Sequence, residues 1–500
     1  MLEPGAGSDV GVSPVRKVRP ARLLAGLLAA AAVFALPGLF SDLGPAAPQA
    51  AAAAAVALLM AVWWLTEALP IYWTALVPVV AYPLLGVFAG GPLAALSGLA
   101  AAYLDPYIFL FAGGMSIAAA MQATRLHQRL ALSVLAAIGT QGDRLLAGVL
   151  AATAAVSLWI SNTATAAMMV PIAIALVKTL EARNGGVRLE RFGMAVMLAV
   201  AWGANIGGIG TKIGTAPNAQ LSGFLERLGQ PISFLQFLAL GLPFVLLLLP
   251  IAWWLLSRLG RADRPQQDAR EEVRRELDGL GRVRRAERIV MAVFAGAALL
   301  WIASRPLTGL AASLLAPHEI GSAHVEAAIA VAAALLLLVA RAEGRAVTPP
   351  GALAKVPWET LLLLGGGFAL AAGIQESGLS GWLAGRLAAA QTLPPLGQIA
   401  VASVAAVTLS AFASNTATVA ILLVVLKDAV AANALQPALV AATFAASCDF
   451  ALPVGTPPNA IVFGSGYVRI PVMARWGAGL DLLAALAAAL WCALAVPWIL

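Results

Sequence analysis

The sequence predicts an all-α polytopic membrane protein, with eleven transmembrane helices plus two re-entrant hairpins in two inverted repeats. Three observations carry this prediction. Hydrophobic residues make up 61% of the 500 and charged residues only 11%, a balance that argues against a soluble enzyme and leaves room for roughly ten or more spans of about 20 residues. The apolar runs are continuous and do not alternate, which argues against an outer-membrane barrel. Finally, the string SNTAT occurs at 161–165 and again at 414–418, and the copies are followed by GTAPNA at 214–219 and GTPPNA at 455–460. Polar groups and helix breakers are costly in lipid unless they line a cavity or a bound solute, so a polar site built twice points to transport.

Taken in order, the first predicted span is 23–40, which follows Arg16, Lys17, Arg19 and Arg22. It is longer than a signal-peptide core, so the first 49 residues are read as an N-terminal segment with one transmembrane helix. Spans at 50–69, 71–88 and 106–123 precede a polar-centred region at 145–177. Trp63, Trp64 and Trp73 bracket a short turn between the first two of these, as an interfacial belt does. Further spans are predicted at 192–224, 237–256, 289–304, 322–340 and 358–375, then a second polar-centred region at 396–426, then 439–468 and 477–500.

The net charge of +7 is concentrated in short segments between spans. These are the N-terminal cluster, then Lys178, Arg183, Arg188 and Arg191, the run 258–288, then Arg341, Arg345 and Lys355, and lastly Arg469 and Arg475. Glu and Asp are interleaved with the Arg, so a solvated topology signal is favoured over nucleic-acid binding. All five clusters fall on the cytoplasmic side if 145–177 and 396–426 each enter and leave by the same face. One helix followed by two five-helix units then puts the units in opposite orientations, with the N-terminus cytoplasmic and the C-terminus outside. Repeat 1 is placed at 50–256, a cytoplasmic Arg-rich linker at 257–288 and repeat 2 at 289–500. FAGG at 111–114 and LGGG at 364–367 keep the 253-residue offset of the SNTAT copies, as do Gln122 and Gln375. The PNA strings are 241 apart, so the second unit has lost twelve residues between its motifs.

A hairpin tip exposes unpaired N–H groups at a helix start, which attract an anion. Ser, Asn and Thr add uncharged hydrogen-bonding groups, and two such tips suit a solute with two anionic ends. The same neutral oxygens suit a hard monovalent cation. Ser157 precedes Ser161 by four residues and Ser410 precedes Ser414 by four, which places each pair on one helix face. The competing reading, small residues packing helices together, loses ground because both motifs are duplicated at corresponding places.

With these residues on the page, the chain resembles the divalent anion:sodium symporter family of di- and tricarboxylate and sulfate carriers. The resemblance is carried by WWLTEALPIYWTALVPVVAYPLLGV (63–87), SNTATAAMMVPIA (161–173), WETLLLLGGGFALAAG (358–373), SNTATVAILL (414–423) and LPVGTPPNAIVFGSG (452–466). It covers nearly everything after residue 50. It implies a homodimer of elevator-type protomers, each with a scaffold part and a transport part. It further implies one sodium near Ser157, Ser161, Asn162 and the Gly214 carbonyl, and a second near Ser410, Ala413, Asn415 and the Gly455 carbonyl. Substrate carboxylates would meet Ser161, Asn162 and Thr163 from one tip and Ser414, Asn415 and Thr416 from the other, with Thr215, Thr456 and Pro457 closing the pocket. The expectation is sodium-coupled uptake of C4 dicarboxylates such as succinate, malate and fumarate across an inner membrane, with co-transported sodium ions and no organic cofactor.

Two residues depart from that pattern. Lys212 stands where an apolar residue or Pro is expected; it could replace a sodium, attract the dianion or pair with an acid. Asp449 could add a cation ligand, carry a coupling proton, neutralise Lys212, or make a local hydrogen bond. A sodium-independent or proton-coupled exchanger of the same fold, with Lys212 in place of one sodium, is therefore the alternative. An intramembrane hydrolase at Ser465 is a remote one, since no His falls in a core span to activate it. Glu67 reads as interfacial, and His127, His318 and His324 show no metal-ligand spacing. Cys448 and Cys492 read as packing residues.

Overall fold

The computed structural model describes residues 20–314, 320–354 and 356–500. Arg16, Lys17, Arg19, His318 and Lys355 lie outside them. The described chain is almost wholly helical, with one two-stranded hairpin pairing Arg341–Ala342 with Arg345–Ala346.

The first half begins with α1 (Pro20–Phe34), which ends before Pro37, and α2 (Ala47–Thr66). The predicted span 71–88 is two pieces, α3 (Ile71–Thr74) and α4 (Val77–Leu85), with Pro83 inside the second. Trp64 is fully buried and its indole donates to the Ile71 carbonyl at 3.1 Å, so it stitches this turn and does not belong to a belt. Next come α5 (Gly91–Tyr103), α6 (Pro106–Ala123) and α7 (Leu126–Ile138). Asp105 starts α6 by accepting the Tyr107 N–H at 3.0 Å, with Pro106 in the first turn.

The predicted polar-centred region is α8 (Gly142–Ser157), a break at 158–161, and α9 (Asn162–Arg183). Then α10 (Glu190–Gly208) and α11 (Ala216–Arg227) are separated by the glycine-rich break 209–215, and α12 (Phe234–Leu259) closes the half. Every residue of α10 from Phe192 onward is buried, as expected of a helix that is apolar all round.

The segment 257–288 holds α13 (Arg270–Gly279) and leads into α14 (Arg285–Ile302). It is docked on the bundle. Asp263 accepts the Arg191 and Phe192 N–H groups at 2.7 and 2.8 Å, Arg183 pairs with Glu271, and Arg129 pairs with the buried Glu287 at 2.7 Å.

The second half continues with α15 (Ser304–Leu314), α16 (Ser322–Val339), α17 (Pro350–Leu353), α18 (Trp358–Glu376) and α19 (Leu379–Leu387). It repeats the earlier pattern with α20 (Pro395–Ser410), a break, α21 (Asn415–Ala429), α22 (Ala432–Ala446), the break 447–456, α23 (Pro457–Phe463) and α24 (Ile470–Ile499). Among the described residues six helices are long and apolar enough to cross a membrane, or eight if α14 with α15 and α18 with α19, bent by 75° and 82°, are each one span. The eleven of the sequence reading also count shorter and interrupted segments, whose Gly and Pro divide them into the paired helices above.

Packing divides these helices into two sets. One gathers around α10 and contains α8, α9, α12, α20, α22, α23 and α24; the other runs through α2, α4, α5, α6, α14, α16 and α18. Helices α11 and α21 touch both sets.

Candidate functional site: two helix breaks joined crosswise

Each SNTAT string sits at the start of a helix that follows a break. Ser161 is the N-cap of α9 and its hydroxyl accepts the Ala164 N–H; Ser414 is the N-cap of α21. Each GT-x-PNA string does the same for a second pair. Thr215 and Thr456 are extended N-caps of α11 and α23, with Pro in the first turn of both. The sequence therefore makes four helix starts; those of α9 and α21 present undonated N–H groups, whereas α23 begins with Pro457 and Pro458, which carry none, and its Asn459 N–H is accepted by Thr456.

The two halves cross over here. Helix α9 of the first half packs against α23 of the second, and α21 packs against α11. Each helix that starts at an SNT string thus packs on the PNA helix of the other half, so the two halves share this region.

The local chemistry is duplicated as well. The Ser157 hydroxyl faces the Asn162 side-chain oxygen at 2.9 Å and the Ala204 carbonyl at 2.8 Å. In the second half the Ser410 hydroxyl faces the Asn415 oxygen at 2.8 Å and the Ala446 carbonyl at 2.6 Å. One hydroxyl proton serves two oxygens in each cluster, so each keeps an electron-rich oxygen that suits a small hard cation. Asn218 ties the first break together by donating to the Gly208 and Thr211 carbonyls at 2.9 and 2.7 Å. Asn459 does so in the second, donating to the carbonyls of Asp449 and Leu452 at 3.1 and 2.9 Å.

Of the predicted residues, Ser157 and Ser410 are fully buried, and Ala413, Thr416, Gly214, Gly455 and Thr456 are buried. Ser161, Asn162, Ser414, Asn415 and Thr215 are half-buried, while Thr163 and Pro457 are exposed. A cavity of about 520 Å³ reaches α9 at Ala164, directly after Thr163, and is lined also by Gln122, His127, Gln128, Met168 and Glu276. At Gly208 a Cβ would fall 2.3 Å from the Asn162 side-chain oxygen, so this position takes no side chain while the tip stays in place.

Lys212 has a counter-ion that the sequence reading did not name. Its ammonium lies 2.7 Å from Glu326 on α16, donates to the Ile232 carbonyl at 2.5 Å and stands over the Tyr107 ring at 5.2 Å. Asp449 does not neutralise it: both Asp449 carboxylate oxygens are buried and without any hydrogen-bond partner. Nor does Asp449 make the local hydrogen bond that was the other structural option. Sequence reasoning also passed over Asn205, whose amide donates to the Asp449 carbonyl at 2.9 Å and the Thr456 hydroxyl at 3.1 Å, so it joins the two halves. A lone Asn in apolar α10 and a lone Glu in apolar α16 were the available signals.

The weaker candidates find ordinary places. Ser465 donates to the Val462 carbonyl at 2.5 Å, Glu67 is the left-handed C-cap of α2, and His127 contacts the Met121 carbonyl at 3.1 Å. His324 accepts the Gly321 N–H, and Cys448 and Cys492 are buried thiols.

Comparison with known proteins shows the family. A family profile described as the sodium:sulfate symporter transmembrane region matches residues 18–499. The chain is 35% identical over 445 residues, 86% of its length and 83% of the relative's, to the sodium-dependent dicarboxylate transporter SdcS of Staphylococcus aureus. Among solved structures, the Alcanivorax borkumensis YdaH transporter shares the fold, with a TM-score of 0.52 over 89% of this chain and 98% of that one at 16% identity. The chain is a multi-pass membrane transporter, not an enzyme, and it belongs to the sodium:sulfate symporter family, the divalent anion:sodium symporters that its motifs resemble.

Proposed function

We propose that this chain imports C4 dicarboxylates, such as succinate, malate or fumarate, by coupling their entry to sodium. The observation that carries this reading is the matched pair of buried Ser–Asn clusters, Ser157 with Asn162 and Ser410 with Asn415. In this reading one sodium binds Ser157, Ser161, Asn162 and the Gly214 carbonyl, and a second binds Ser410, Ala413, Asn415 and the Gly455 carbonyl. The two SNT tips then hold the two carboxylates through Ser161, Asn162, Thr163, Ser414, Asn415 and Thr416, flanked by Thr215, Thr456 and Pro457. Sodium offsets the dianion's charge before it enters low dielectric, where it would otherwise be unstable. Each net positive charge moved inward gains about 2.3 kcal/mol per 100 mV of inside-negative potential, so more than two sodiums per dianion make uptake concentrative.

The two helix sets divide the work as transport part and scaffold in an elevator motion, within a homodimer in a bacterial inner membrane. Repeats 50–256 and 289–500 are inverted, with the N-terminus cytoplasmic and the C-terminus outside. The alternative, an exchanger in which Lys212 stands in for a sodium, is disfavoured because the Lys212 ammonium is held by Glu326.

Uptake of labelled succinate into proteoliposomes, with an inward sodium gradient against choline at matched potential, tests the proposal. Strict sodium dependence in the wild type, lost in Asn162→Ala and Asn415→Ala, is the expected result. Sodium-independent counterflow overturns the symport reading in favour of exchange.

A further inference from the structure

Asp449 occupies a position whose first-half counterpart is a glycine. Asn218 donates to the carbonyl ten residues before it, that of Gly208, and Asn459 donates to the carbonyl ten residues before it, that of Asp449. The same bond in both halves makes Gly208 and Asp449 structural equivalents. At Gly208 there is no room for a side chain beside the tip asparagine. The second half places a carboxylate there instead, fully buried and pressed on Gly455, where an added Cβ would lie 1.7 Å from Asp449 Oδ2.

The surroundings of this carboxylate lack donors. Both Asp449 side-chain oxygens, the Asn459 side-chain oxygen and the Asn205 side-chain oxygen are buried without a hydrogen-bond partner. The amide N–H groups that reach this place are spent elsewhere. Asn205 donates to the Asp449 carbonyl and the Thr456 hydroxyl, and Asn459 donates to the Asp449 and Leu452 carbonyls. A second acid, Asp481, adjoins through the Phe450 N–H at 2.8 Å. The buried ammonium of Lys212 is committed to Glu326. Buried acceptors that lack donors are expected to find a partner, and a cluster of oxygens that includes a carboxyl group is what a hard cation satisfies.

We propose that Asp449 is an anionic ligand of a monovalent cation, shared with the Gly455 end of the second Ser–Asn cluster. The inference deepens the sodium-coupled reading and rests on it for the identity of the ion. A carboxylate ligand brings its own charge to the site, so cation binding here does not wait for the dianion. Sodium therefore stabilises the substrate-free protein, and it does so through Asp449.

The test is thermal unfolding of the purified full chain without dicarboxylate, in NaCl or in choline chloride of equal strength, for wild type and Asp449→Asn. The wild type is expected to melt higher in sodium, and the variant to need at least about tenfold more sodium for the same shift, as the loss of one ligand charge implies. In choline alone the variant is expected to be at least as stable as the wild type, because it removes an uncompensated buried charge. That second result separates a cation ligand from a structural residue, whose loss destabilises under both conditions. An equal sodium response in the two proteins, no sodium response in the wild type, or a variant less stable in choline with its sodium shift intact overturns the proposal. Failure of the parent reading looks different: succinate uptake is then sodium-independent, while sodium still stabilises the wild type and not the variant.

Discussion

Lys212 and Glu326 offer the sharpest quantitative test of how this fold is held together. Both side chains are fully buried and their charges are 2.7 Å apart. Glu326 is supplied with further donors, the Phe234 N–H at 2.7 Å and the Ser304 hydroxyl at 3.1 Å. Lys212 has the Ile232 carbonyl and the face of Tyr107. Deleting one member of a buried pair leaves the other charge uncompensated and costs about 3–5 kcal/mol, whereas replacing both with neutral side chains of similar size is often close to neutral. Lys212→Met is therefore expected to destabilise by about 3–5 kcal/mol, since the neutral donors left on Glu326 do not replace the ammonium. Glu326→Gln is expected to cost a similar amount, while the double variant costs less than either single change. Cys448 and Cys492 are both buried, so a thiol-reactive dye reports unfolding of the purified chain directly. Additive losses in the double variant, or a Lys212→Met protein that melts with the wild type, refute the reasoning. The pair also joins the break before α11 to α16, which lie 114 residues apart in the chain.

Two further outcomes follow from the geometry. Gly208→Ala places a methyl 2.3 Å from the Asn162 oxygen and is expected to abolish sodium-driven uptake, while Gly279→Ala, with no atom within 4 Å, leaves uptake unchanged in the same proteoliposome assay. Ser465→Ala is expected to retain full uptake, because the Ser465 hydroxyl serves a local turn; complete loss would revive a catalytic role for it.

The places where the helices break were legible in the sequence. The duplicated SNTAT and GT-x-PNA strings stand out because polar residues and helix breakers are expensive in an apolar chain, so their repetition carries information that a single copy does not. The i, i+4 spacing of Ser157 with Ser161 and of Ser410 with Ser414 predicted one helix face for each pair, but each pair straddles a helix break: Ser157 and Ser410 end α8 and α20, while Ser161 and Ser414 cap α9 and α21. The partner of Lys212 and the unpartnered state of the Asp449 carboxyl were not legible. Lys212 reaches Glu326 across 114 residues, and a local scan weighs a lone Glu in apolar α16 as an isolated oddity. Asn205 was invisible for the same reason, since its partners Asp449 and Thr456 lie 244 and 251 residues away. The Arg-rich segment 257–288 read as a solvated linker, and its docking through Asp263, Glu271 and Glu287 depends on contacts that composition does not encode.

The sequence by itself determined that the chain is a helical membrane protein with a twofold internal pattern, because hydropathy and helix-breaking chemistry are local properties repeated along the chain. Only the tertiary structure decided that each SNT helix packs on the PNA helix of the other half, that Lys212 belongs to Glu326, and that the Asp449 carboxyl is left without a donor. These are facts about which distant groups share a buried volume. There the cost of an unmatched charge is high enough to fix the pairing, and no local pattern records it.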